Sequence, residues 1–136
     1  MKFMLILNTP RDGYTQYMKW PKKILDANMA FMQTFTRRLQ EAGELVGNAG
    51  LASPERAKLV RAGDDGLLIT DGVFAESKEF LAGYWIVDVE TPERAYEIAA
   101  EASKAPGMPV TAADGSVIDR LWIEVREIMG SQKDLV

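Results

Sequence analysis

Apolar residues recur along this chain at two periods, and the switches between them mark its elements. Residues 2–7 are apolar on both alternating faces, and Asn8, Thr9, Pro10, Asp12 and Gly13 then break the run, which predicts a first strand. The following YTQYMKW brings Tyr14, Tyr17 and Trp20 together before Pro21, whose fixed φ suits the first turn of a helix. From there Leu25, Met29, Met32, Phe35, Leu39 and Ala42 recur at three- and four-residue spacing. This is one face of a long amphipathic helix, ending where Gly43 can take the left-handed cap.

Residues 44–51 read as a short, glycine-containing second strand, and Ser53-Pro54-Glu55 as a turn. Residues 58–62 and 67–70 flank Gly63-Asp64-Asp65-Gly66, the chemistry of a tight reversal, so a β-hairpin is expected. A charged loop follows, and then a strand over residues 83–89. Thr91-Pro92-Glu93 opens a second helix with an N-cap, a proline at the first helical position and an acid suited to the helix dipole. Its buried stripe is Ala95, Ile98, Ala99 and Ala102, and it stops by Pro106. A turn-rich segment through Gly107, Pro109, Asp114 and Gly115 leads to a last strand over residues 121–127, where Leu121, Ile123 and Val125 alternate with Trp122, Glu124 and Arg126.

The order β-α-β, hairpin, β-α-β predicts a ferredoxin-like α+β domain with a mainly antiparallel sheet and two helices on one face. That arrangement leaves the other face bare. Tyr84 and Ile86 alternate with Trp85, Val87 and Val89, so apolar groups point to both sides where a half-wetted sheet should alternate with polar ones. A second copy is the simplest cover, and a homodimer with facing sheets is expected.

The 136 residues, 47% hydrophobic and 26% charged, fit one domain over 1–136, with 129–136 a frayed polar tail. Without a run of about 18 apolar residues, no membrane span is expected. The absence of a signal-peptide pattern and of cysteine points to a cytoplasmic protein without disulfides. A net charge of −4 argues against nucleic-acid binding, which needs clustered Lys and Arg. With no histidine, the usual general base and the commonest metal ligand are both missing. No metal cluster, phosphate loop or dinucleotide fingerprint stands out, and no cofactor is required.

Asp71, Gly72, Phe74 to Glu79 and Gly83 to Val87 match the block D-G-P-F-A-E-[ST]-K-E with its following G-[GY]-[FY]-[WLI]-[ILV], with Val73 in place of the proline. The opening MKFMLIL and the segment RLQEAGELVGNAGL extend the likeness, and the chain resembles the YCII-related or DGPF family over most of its length. The resemblance implies a ferredoxin-like fold and a two-fold dimer of the dimeric α+β barrel type. It also implies a link to alternative sigma factors, whose genes often neighbour those of similar proteins. The resemblance further implies a proposed catalytic pair of a histidine on the first helix with the Asp of the block; the histidine's position falls here at Met32, so that dyad is absent.

Asp71 is the candidate catalytic residue, because a carboxylate held at the end of a buried strand beside a permissive glycine can act as a base; capping of the turn is the plainer role. Glu76 and Lys78 are candidate ligand-binding groups at a pocket mouth, against a solvated charged loop as the alternative. Phe74 is either a loop anchor or a pocket wall. Tyr17 and Trp20, with Tyr14, are candidates for an aromatic lid, or pack the start of the helix. Asn28 lies one position before the helical stripe and could point a polar amide inward, although an exposed or helix-flank Asn is commoner. Together these favour a small-molecule pocket near the DGVF loop, with binding ahead of catalysis. A sigma-factor accessory protein and a cofactor-free isomerase- or oxygenase-like enzyme using Asp71 stand as alternatives.

Overall fold

The first strand, β1 (Lys2–Thr9), pairs on both edges and becomes an inner strand of the sheet. In a computed structural model that describes residues 1–71 and 79–130, the sheet runs β2 (Leu45–Gly50), β5 (Phe80–Asp88), β1, β8 (Ile123–Glu127). All its pairings are antiparallel. Each β-α-β unit therefore returns its chain parallel to where it began with one antiparallel strand between, which is the ferredoxin-like α+β arrangement.

Register decides which side chains meet. Leu5 lies opposite Trp85 and Val125, whereas Ile6 lies opposite Tyr84 and Glu124. The first set faces the helices, where Phe3, Leu5, Trp85, Val87 and Val89 are buried with Phe35 and Leu39 of α2 (Lys22–Glu41) and Ala95, Ile98, Ala99 and Ala102 of α3 (Pro92–Ala102). Phe35 meets Trp85 edge-on with ring centroids 5.5 Å apart. On the opposite face Met4, Ile6, Tyr84 and Ile86 are only half-buried.

The helix ends follow local chemistry. At the end of α2 the Gly43 N–H donates to the Gln40 carbonyl and the Glu44 N–H to that of Leu39, with Gly43 at φ 71°, which is a Schellman closure. Thr91 caps α3 by accepting from the Arg94 N–H at 3.3 Å.

Four expectations need correction. A short helix, α1 (Gly13–Met18), occupies the aromatic stretch to which periodicity assigned no element. The buried face of α2 is rotated from the expected stripe: Met29 is 53% exposed and Ala42 is exposed, while Asn28 is half-buried. Phe35 and Leu39 set the centre of that face, and at about 100° per residue Asn28 falls on their line while Met29 stands a full step away. The hairpin of β3 (Leu59–Ala62) and β4 (Leu68–Asp71) forms its own two-stranded ribbon, so the strand behind Asp71 is exposed, not buried. The turn-rich segment contains a second small hairpin, β6 (Val110–Thr111) with β7 (Val117–Ile118). Among the described residues, no helix is long and apolar enough to cross a membrane.

Candidate functional site

The helix layer and the sheet part company at one end, leaving a cleft of about 690 Å³ between the start of α2, the end of α3 and the strand ends nearest them. The inward line of α2 serves two purposes: Phe35 and Leu39 fill the core, and Asn28, Met32 and Thr36 line the cleft. Trp85 belongs to both, buried against Phe35 and contributing to the cleft wall.

Aromatic side chains of α1 and the residues after it form a further wall, through Tyr14, Tyr17 and Trp20. Tyr17 and Trp20 lie 5.0 Å apart between centroids at 59°. The aromatics are placed by close backbone approaches. A Cβ on Gly13 would sit 2.7 Å from the Thr9 side chain, so glycine lets α1 fold back tightly on β1. A Cβ on Gly107 would sit 2.6 Å from the Trp20 ring, so the indole rests directly on the backbone of the segment after α3.

Two amide side chains hold that segment. Asn28 Nδ2 donates to the Pro106 carbonyl at 2.8 Å. Gln16 Nε2 donates to the Thr111 carbonyl at 2.9 Å while its Oε1 accepts from the Thr111 N–H at 3.0 Å, so the side chain pairs with β6 as a neighbouring strand would. Residues 106–111 are thereby strapped to α1 and α2. Asn28 keeps an acceptor oxygen and a second N–H beyond its bond to Pro106.

The charged residues lining the cleft are Lys104, Asp119 and Arg120, all exposed. None of them forms an ion pair with another described residue. The best-formed ion pair lies elsewhere: Arg94 Nε and a guanidinium Nη donate to the two Glu44 oxygens at 2.8 Å each, tying the end of α2 to the start of α3. Those hydrogen bonds hold the Glu44 carboxyl below its ordinary range and push the Arg94 guanidinium up. Among the described residues, no group of carboxylates could hold a metal ion.

Of the sequence candidates, Tyr17 and Trp20 line the cleft. Asp71 is exposed at the end of β4 and is not part of the cleft lining. Phe74, Glu76 and Lys78 lie outside the described residues. Met32, the position where the family resemblance places a histidine, lines the cleft. The sequence reading passed over Gln16, Trp85, Lys104 and Arg120 and ranked the inward placement of Asn28, which the structure shows, behind an exposed one; a polar residue centred on an apolar helical face was the available signal.

The sequence profile of the YCII-related domain matches residues 1–108. The chain belongs to the YCII-related family. An uncharacterized protein of Rhizobium meliloti is 30% identical over 86 residues, which span 63% of this chain and 69% of the relative. The YCII-related match ends at residue 108, inside the segment held by Asn28 and Trp20 and just short of the β6–β7 hairpin.

Proposed function

We propose that this YCII-related protein binds a planar, unsaturated small acid in the aromatic cleft, and that it does so as a homodimer. The observation that carries the reading is the composition of the cleft: Tyr14, Tyr17, Trp20 and Trp85 as walls, Asn28 as a polar fix, and Lys104 and Arg120 as the cations among its three charged lining residues. Flat rings stack on such walls, and a few placed polar groups set orientation. On a chain of net charge −4, two cations without a carboxylate partner among the described residues favour an anionic group on the ligand.

Binding is favoured over catalysis because methionine stands where the relatives' histidine falls and Asp71 lies outside the cleft lining. The homodimer is supported by the half-buried outer face of Met4, Ile6, Tyr84 and Ile86, and by Trp122 beside it, which is 90% exposed. A monomer mass by light scattering at micromolar concentration would refute this part.

The ligand test is a fluorescence titration of a Trp122→Phe variant, in which the remaining tryptophans, Trp20 and Trp85, both line the cleft. 1-Naphthoate and its neutral isostere 1-naphthamide are the probes. Saturable quenching by both, with naphthoate about tenfold tighter and the preference abolished in Lys104→Gln/Arg120→Gln, is the expected result. Equal affinities remove the acid from the proposal, and no saturable response to either removes the cleft.

A further inference from the structure

The β3–β4 ribbon has the features of an unfinished interface. Every strand residue in it is exposed, including Val60 at 58%, Leu68 at 70% and Ile69 at 42%, and Leu67 at its tip is 68% exposed. Register places Val60, Ala62, Leu68 and Thr70 on one face of the ribbon and Leu59, Arg61, Ile69 and Asp71 on the other, so the first face is apolar but for one threonine while the second mixes apolar and charged groups. An antiparallel ribbon normally turns such an apolar face onto a core, yet here Val60, Ala62 and Leu68 are all exposed.

Among the described residues, the ribbon pairs in register only with itself and not with the four-stranded sheet. Between residues 59 and 70 the hydrogen bonds stay within the hairpin, as in Gly63 N–H to the Leu67 carbonyl at 2.7 Å and Leu67 N–H to Asp65 Oδ1 at 3.0 Å. The β6–β7 hairpin differs, with Val110 buried and Thr111 gripped by Gln16. Isolated two-stranded ribbons are marginally stable in water, and this one is expected to draw support from beyond the described residues of its own sheet and helices.

We propose that the β3–β4 ribbon is an arm that packs onto a second copy of this chain. The proposal rests on the sheet-face homodimer above and names the element that clasps it. The surface area sets the size of what is missing. The chain exposes 9624 Å², whereas a folded monomer of 15.1 kDa exposes about 7,100 Å². Setting every residue outside the described stretches aside at full exposure still leaves roughly 1,000 Å² of excess. A standard dimer interface takes about 800 Å² from each partner.

Topology favours a second copy as the occupant. The arm leaves the sheet after β2, an edge strand, and the chain returns to the sheet at β5. If two outer faces meet about a two-fold axis, each copy offers one arm and one receiving surface, and both arms are covered by the same symmetric contact.

The test pairs an arm variant with the parent. Leu68→Lys changes a side chain already 70% exposed in the single chain, so the fold is expected to survive, with circular dichroism as the check. Sedimentation velocity over a concentration series gives the dimer Kd, and hydrogen exchange reports on amides 59–71. A dimeric parent with a protected ribbon, and a variant whose dimer Kd rises at least tenfold as the ribbon loses protection, is the expected outcome; the substitution acts twice in a symmetric dimer. A parent dimer that Leu68→Lys leaves intact overturns the arm and spares the sheet-face dimer. A parent that stays monomeric at tens of micromolar overturns both, and a ribbon then protected only by a different protein would assign it to that partner.

Discussion

The two ends of the helix-on-sheet sandwich use similar residues for opposite purposes. At the closed end, Phe35 and Leu39 of α2 meet Leu5, Val87 and Ile98 in a dry core, and the Glu44–Arg94 pair joins the two helices. At the open end the same inward line continues through Met32, which packs at the rim of that core, to Asn28, whose side chain is hydrogen-bonded to the segment after α3. An apolar helical face is thus no guide to what it touches. Half of this one fills a core and half faces a cleft, and the change comes where α1 and the segment after α3 take over from the sheet as neighbours.

The contrast is most exposed by deleting side chains from either end. Phe35→Ala should cost about 3–5 kcal/mol in urea unfolding, because a large side chain 1% exposed leaves a cavity that neighbours cannot fill. Met32→Ala, half-buried on the same helix face, should cost under about 1.5 kcal/mol while weakening naphthoate binding. Equal costs would mean that the open end is packed shut in solution.

Breaking the strap should have an intermediate effect. Asn28→Ala removes the hydrogen bond to the Pro106 carbonyl and should destabilise by about 1 kcal/mol, with faster hydrogen exchange in residues 107–111. Unchanged exchange there would show that Gln16 and Trp20 hold the segment without it.

The closed end carries the acid sensitivity. Glu44 has its pKa lowered in the folded chain by the Arg94 hydrogen bonds, so its contribution is complete above the ordinary carboxyl value of 4.5 and is lost as pH falls through the lower folded value. Glu44→Gln should cost about 1 kcal/mol at neutral pH and flatten the decline of stability below that value, with ligand binding unaltered. A variant that loses stability in acid as steeply as the parent would remove this pair as the cause.

The smallest effect on stability is expected at Gly107. Alanine there must displace the Trp20 ring, which lies at a cleft wall with room to move, so stability should change by roughly 0.5 kcal/mol while naphthoate affinity shifts several-fold. Unaltered affinity would place Trp20 outside the binding contact.

Much of this fold was legible in the chain. The α3 stripe of Ala95, Ile98, Ala99 and Ala102, its Thr91 cap, the Gly43 closure and the strand at β1 all rest on contacts a few residues apart, and the structure has them where the pattern predicts. The cleft was legible only in fragments. Tyr17 and Trp20 stood out because aromatics cluster ahead of Pro21, whereas Lys104 and Arg120 look like any surface cations until α3, β7 and β8 bring them to one opening. Gln16 and Thr111 are 95 residues apart, and no local rule joins them.

By itself, the sequence determined the two long helices with their Gly43 and Thr91 ends, the strands of the four-stranded sheet, the β3–β4 hairpin and the family, because periodicity and backbone preference act within a turn or two of each residue. Only the tertiary structure decided that Asn28 replaces Met29 on the buried line, that Asp71 ends an exposed ribbon, and that Met32 sits at the rim of the core where the cleft begins. Those facts depend on the rotation of a helix about its axis and on which surfaces find a neighbour. Both are set by packing between segments distant in the chain, which no window along the sequence contains.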